Sequence, residues 1–389
     1  MSLHALPGAL RDDPVMTRVV GMSNATLAVA TPAQAIAVAG AMRLGSRRPV
    51  LVVAPTGVAA EQLAHDLALF VDGRVELFPA WETLPFERVS PEVATMGQRL
   101  AVLSALVGSG APDGVALGGA SGWEAAGGVE PVDVVVAPVK ALLQRLGPWR
   151  SAARPVVVAK GTRVDPGELV ARLVGLGYRR EPLVEHRGEL AVRGGIVDVF
   201  PPTDDLPVRI DLWGDDVDRL TRFDVADQRS VEDVSVVRLT GCRELVPDEA
   251  VRARATRLVE EAPWGAQQWR RLADGHLFDG MESWLPWLLD ADADADADPI
   301  TPDVDPITPD ADADPTPAAG DTGAGASSLR GELLTDLLGP SSIVVVVEPG
   351  RVRDRAAELA DEEAALADAL AQTWGLDAGA DAPRLHATY

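Results

Sequence analysis

The chain has 389 residues, a formal net charge of −24, 47% hydrophobic residues and a single cysteine, Cys242. At roughly 100–200 residues per domain, this length fits two or three domains, each with its own core. The acidic balance argues against sequence-independent nucleic-acid binding, which wants a basic face. One cysteine excludes an internal disulfide framework and makes the cytoplasm the default location. No apolar run approaches the roughly 18–20 residues of a membrane span. Residues 1–20 carry Asp12 and Asp13 and do not form a signal peptide.

The first stretch alternates strand and helix signals. An alanine-rich helix is predicted over 28–42, a buried strand over 49–54 and a helix over 59–70 with Leu63, Leu67 and Phe70 at helical spacing. A strand follows at 75–78, a helix at 96–107, a strand at 132–137 and a helix at 139–146. This alternation implies a parallel sheet covered on both faces. The Gly- and Ala-rich segment 108–131 has little periodicity and is taken as a surface loop.

After Pro148 the pattern changes to short strands at 154–160, 190–192, 196–200, 208–213 and 217–224, separated by turns. One helix, 166–176, starts with Asp165 as N-cap and Pro166 at its first position. Strands in close succession with one helix suggest an α+β insert with an antiparallel sheet. Helices return at 248–261 and 265–273, and Trp284 and Trp287 fall at helical spacing, which favours core positions. The segment 290–323 alternates Ala and Asp and repeats Asp-Pro-Ile-Thr-Pro-Asp, so it is expected to be disordered. A buried strand at 343–347 and a helix at 352–374 close the chain.

The α/β pattern invites a search for a phosphate-binding loop, which needs glycines for close backbone approach and a lysine for the phosphate charge. The chain has two lysines, Lys140 and Lys160, and neither follows a glycine. The expected loop position reads Gly21-Met22-Ser23-Asn24-Ala25-Thr26, without a lysine. Asp361-Glu362-Glu363-Ala364 resembles a helicase acidic box, but its helical surroundings favour a solvated helix face. Single helical arginines such as Arg99 and Arg145 are expected at the surface. His186, flanked by Glu185 and Glu189, is taken as a surface or loop residue, and Cys242 as no nucleophile. No catalytic, cofactor-binding or metal-ligating residue is assigned.

Three segments carry a family resemblance. The first is Phe78-Pro79-Ala80-Trp81-Glu82-Thr83-Leu84-Pro85-Phe86-Glu87, with Ser90-Pro91 behind it. The second is Glu185-His186-Arg187-Gly188-Glu189, then Val192-Arg193-Gly194-Gly195-Ile196-Val197-Asp198-Val199-Phe200-Pro201. The third is Arg209-Ile210-Asp211-Leu212-Trp213-Gly214-Asp215-Asp216-Val217-Asp218. In order and spacing they resemble the amino-terminal part of the transcription-repair coupling factor (Mfd) family. The last two also resemble UvrB, the damage-recognition helicase subunit.

The resemblance implies a degenerate P-loop (RecA/helicase-like) α/β lobe in two parts, 1–150 and 246–389, with an inserted α+β domain at 151–245. The lobe's second part would be interrupted by a linker at 290–326. It further implies an ATPase-dead lobe without cofactor, and an insert that docks UvrA. RNA polymerase and double-stranded DNA would be partners of family domains beyond Tyr389, so those activities are not expected of this chain. The candidate docking cations are Arg179, Arg180, Arg187, Arg193 and Arg209, since a guanidinium holds carboxylates bidentately. By similarity to the UvrB-type motif, Arg180, Arg193 and Phe200 carry the most weight. Gly194-Gly195 are assigned to a turn. The competing readings are a UvrB-like ATP-dependent helicase subunit, disfavoured by the missing lysine, and an architectural DNA-binding fragment, disfavoured by charge.

Overall fold

The computed structural model describes residues 3–84, 87–107, 131–289, 329, 331–374, 384–387 and 389. The predicted surface loop at 108–131, except its last residue, the acidic tract at 290–326, and Pro85 and Phe86 of the first motif lie outside the described residues.

Four valine-rich strands form a parallel sheet: β1 (Val50–Ala54), β2 (Val75–Leu77), β3 (Val134–Pro138) and β12 (Ile343–Val346), in the order β12-β1-β3-β2. Every residue of β1 and β3 is buried, as continuous apolar runs require when both faces are covered. On one face Val50, Val52, Val134 and Val136 pack against Val38 of α2 (Gln34–Leu44) and Leu63 and Leu67 of α3 (Gly57–Phe70). On the other, Leu51, Val53, Val135 and Ala137 share a core with α4 (Val93–Val107), α5 (Val139–Leu143) and α10 (Pro349–Trp374). No helix among the described residues is long and apolar enough to cross a membrane.

Three expectations are corrected here. The strand predicted as buried at 343–347 borders the described sheet, and its alternate residues Val344 and Val346 are exposed. The helix predicted over 139–146 stops at Leu143, because Gln144 and Leu146 make backbone bridges to His386 and Glu332. The helix predicted from 28 starts at Gln34, after a tight turn over Thr31–Ala33 that contains Pro32.

Between the two parts of the parallel sheet lies a second sheet of six strands. They are β5 (Arg179–Arg180), β6 (Glu189–Arg193), β7 (Ile196–Val199), β8 (Val208–Trp213), β9 (Asp216–Phe223) and β10 (Ser230–Asp233), in the order β10-β9-β8-β7-β6-β5. All neighbours are antiparallel except β5 and β6, which run parallel. Leu190, Val197, Val199, Val208, Ile210 and Leu220 face inward onto Leu169 and Leu173 of α6 (Pro166–Gly175), whose N-cap Asp165 accepts the Glu168 N–H. A separate antiparallel pair, β4 (Val156–Ala159) and β11 (Val236–Leu239), joins the entry and exit of this region.

Ion pairs fasten the segment after β11 to the first lobe helices. Arg99 of α4, expected at the surface, is completely buried. Its Nε lies 2.6 Å from Glu244 Oε1, an Nη donates to the Pro79 carbonyl at 2.8 Å, and its guanidinium sits 4.2 Å from the Phe78 ring centroid. Trp81 Nε1 donates to the same Glu244 carboxylate at 2.7 Å. The first motif is thus a structural strap: Phe78 and Trp81 wall in an ion pair buried from the surface. Downstream, α7 (Glu249–Glu261) and α8 (Ala266–Ala273) pack with a cluster of Trp264, Trp269, Trp284 and Trp287, so Trp284 serves the core as predicted.

The acidic box does lie within helix α10, yet only part of it is solvated. Glu363 is 3% exposed and turned inward, where it accepts the Leu385 N–H at 2.6 Å and meets His386 Nδ1 at 3.0 Å. A carboxylate that faces a returning backbone is satisfied by its N–H groups, and this is why the helix tolerates it inside.

Candidate docking surface

Alternation in β6 to β9 sends Val192, Val197, Ile210 and Leu212 into the core and Arg193, Asp198, Arg209 and Asp211 to the opposite face. The centre of that outer face is Asp198, a buried carboxylate on β7. Arg209, its cross-strand partner on β8, donates Nε to Oδ1 at 2.8 Å and Nη2 to Oδ2 at 3.0 Å. Arg193 donates to the same Oδ2 from the end of β6. The hydrogen bond to Asp198 holds the Arg209 guanidinium above the ordinary arginine range. Arg209 also lies 4.5 Å from the Phe223 ring centroid and donates to the Gln228 carbonyl. Its side chain is only 16% exposed, whereas that of Arg193 is 44% exposed.

At the border, β5 places Arg179 opposite Glu189 and Arg180 opposite Leu190. Arg179 is exposed and lies 3.8 Å from the buried Glu189 carboxylate. Glu189 is committed to the turn before it, accepting the N–H groups of Glu185 and His186 at 2.9 Å each. His186 is exposed, with Nδ1 3.3 Å from Glu189. The Arg180 side chain is exposed. The same turn needs a glycine at 188: φ is +82°, and a Cβ would meet Val93 of α4 at 2.9 Å.

The predicted cations therefore divide. Arg193 and Arg209 meet through Asp198, Arg179 and Arg180 sit on the neighbouring border strand, and Arg187 stands apart. Arg187 donates to the Asp204 carbonyl and to Asp205, with its guanidinium 5.7 Å from the Phe200 ring centroid. Phe200 is 7% exposed and packs with Val184, Ala191 and Phe223, so it supports the face from beneath and presents little of itself to a partner. The reason is its neighbours: large apolar rings on this side of the sheet bury one another under the arginine layer. Sequence reasoning missed Asp198 as the organiser. Its signal was period-two alternation through Val197-Asp198-Val199, which puts a carboxylate on the same face as the arginines.

The nucleotide-loop position is also defined. The segment from Gly21 to Thr26 is exposed and follows helix α1 (Pro14–Val20), not a strand. The junction of β1 with α3 has the strand–loop–helix order, with Thr56 as N-cap for the Ala59 N–H and Gly57 as its one glycine. Lys140 is engaged elsewhere: Nζ donates to the Trp81 carbonyl at 2.8 Å, and burial lowers its pKa. Burial raises the pKa of the Cys242 thiol, against nucleophilic use. No group of metal-ligating side chains is assembled among the described residues.

The region thus presents an arginine-bearing sheet face over a packed apolar layer, set into an α/β lobe. The model of the UvrB interaction domain family matches residues 156–244. Along most of its length the chain is also similar to transcription-repair-coupling factors. That of Mycobacterium tuberculosis is 36% identical over 355 residues, 89% of this chain and 24% of that protein. That of Escherichia coli is 30% identical over 245 residues, 61% of this chain and 19% of that protein. That of Bacillus subtilis is 31% identical over 214 residues, 54% of this chain and 16% of that protein. The chain spans about a quarter or less of the length of these relatives. These likenesses support an amino-terminal module of the transcription-repair-coupling factor kind.

Proposed function

We propose that this chain is a non-catalytic docking module that recruits the excision-repair protein UvrA to RNA polymerase stalled at DNA damage. The observation that carries the proposal is the UvrB interaction domain at 156–244 with Arg179, Arg180 and Arg193 exposed on adjoining strands. In a chain of net charge −24, this local concentration of guanidinium groups suits carboxylates on a partner. RNA polymerase and double-stranded DNA would be engaged by other parts of such a protein. The lobe beside the docking domain acts as a degenerate nucleotide-binding fold that holds the insert. The exposed Gly21 to Thr26 segment without a lysine supports this, and so does the tethered Lys140. No observation favours the UvrB-like ATPase.

The test is titration of purified UvrA with the chain and with Arg180→Ala and Arg193→Ala. Each substitution is expected to weaken binding roughly thirtyfold, the scale of a central arginine contact. Arg252→Ala, in α7, serves as the control and should bind normally. Variants that stay folded and bind UvrA as the parent does would place the docking surface elsewhere.

A further inference from the structure

We propose that Trp213 is the apolar anchor of this docking face and works as a pair with Arg193; the inference rests on the docking function above. Trp213 ends β8 with 83% of its surface exposed, although a ring of this size is ordinarily largely buried. Along β8 the outer face runs Arg209, Asp211, Trp213, so the indole stands on the arginine side of the sheet. Two hairpin tips meet there. Leu212 N–H donates to the Gly195 carbonyl at 2.8 Å, which sets the turn after Arg193 against the turn after Trp213. A Cβ at 195 would lie 2.6 Å from the Leu212 carbonyl oxygen, so glycine permits this approach.

The Trp213 hairpin is braced from behind. Val164 N–H donates to the Asp215 carbonyl at 2.7 Å, Val217 N–H donates to the Thr162 carbonyl at 2.9 Å, and Arg163 pairs with Asp215 and Asp216. An aromatic ring on a braced hairpin loses little conformational freedom on binding. Arg193 is free to change partner. If it leaves Asp198, that buried carboxylate keeps both hydrogen bonds from Arg209, so no buried charge is orphaned. The matching partner surface is an apolar pocket for the indole, with a carboxylate at its rim for Arg193. Tryptophan and arginine are the side chains that most often dominate protein interfaces.

The experiment titrates UvrA with the full chain and with Trp213→Ala and Trp213→Phe, each checked for an unchanged melting temperature. The alanine variant is expected to lose roughly thirtyfold or more in affinity, and the phenylalanine variant to recover most of it. Alanine binding within about twofold of the parent, or phenylalanine as weak as alanine, would overturn an apolar anchor at this position. Parent binding that depends on Arg193 but not on Trp213 leaves the docking function standing and removes only the anchor. A parent chain that does not bind UvrA removes the docking function, and the anchor falls with it.

Discussion

At the lobe junction Arg99 meets Glu244 with both side chains sealed from water, whereas on the sheet face Arg193 meets Asp198 with the guanidinium nearly half exposed. The same pairing of arginine with a carboxylate does two different jobs. A buried guanidinium makes all its contacts at once: Glu244, the Pro79 carbonyl and the Phe78 ring leave it nothing further to bind. The exposed one holds a carboxylate that a second arginine already satisfies, so it keeps spare donors for another molecule. What separates a strut from a residue able to change partner is whether the carboxylate it holds survives its departure.

The sharpest break of this contrast is Arg99→Ala. It strands the buried Glu244 carboxylate, with Trp81 Nε1 the one side-chain donor left among the described residues, and should cost roughly 3–5 kcal/mol in urea unfolding. Replacing both partners, Arg99→Met with Glu244→Leu, should recover much of that loss. A single-variant cost below about 1 kcal/mol, the scale of an exposed pair, would show that the junction is not a strut.

Within the outer face the contrast repeats on a smaller scale. Arg209→Ala should destabilise by roughly 2 kcal/mol, because its hydrogen bonds to Asp198 are shielded and bidentate. Arg193→Ala should cost less than about 1 kcal/mol, because its guanidinium is half solvated. Equal shifts in melting temperature would contradict the division of labour.

The smallest expected effect lies on the solvent face of helix α10, where Arg355 bonds Glu362 at 2.7 and 3.2 Å and holds its carboxyl below the ordinary glutamate range. A depressed carboxyl stabilises the fold above its unfolded pKa, and that contribution fades as pH falls through the folded value. Arg355→Ala should move the Glu362 titration upward, followed by carboxyl chemical shift, while stability near neutral pH changes by less than roughly 1 kcal/mol. An unmoved titration would mean the pair is not formed in solution.

The valine runs made the parallel strands legible, because a strand covered on both faces has to be apolar throughout. The short strands of the insert and the N-cap at Asp165 were equally plain, since turns and caps are written locally. What stayed hidden was long-range. Arg99 looked like a surface helix residue because Glu244 lies 145 positions away. The early end of α5 depended on bridges to Glu332 and His386, and the inward turn of Glu363 on the returning Leu385 and His386 N–H groups. At the docking face the arginines were legible as types, but their exposure was not: the spacing of Arg193 and Arg209 does not say which one Asp198 keeps. Arg180 and Arg193 lie on neighbouring strands that run parallel.

The β4–β11 ladder has a topological consequence. Val156 pairs with Leu239, so the entry and exit of the insert are neighbours in space. Once that ladder closes, the loop that must shut to bring Arg99 to Glu244 shrinks by more than half. Each halving lowers the entropy cost of closure by about 0.6 kcal/mol. To the lobe, the insert is therefore a staple, drawing together two stretches of chain that would otherwise have to find each other across its whole length.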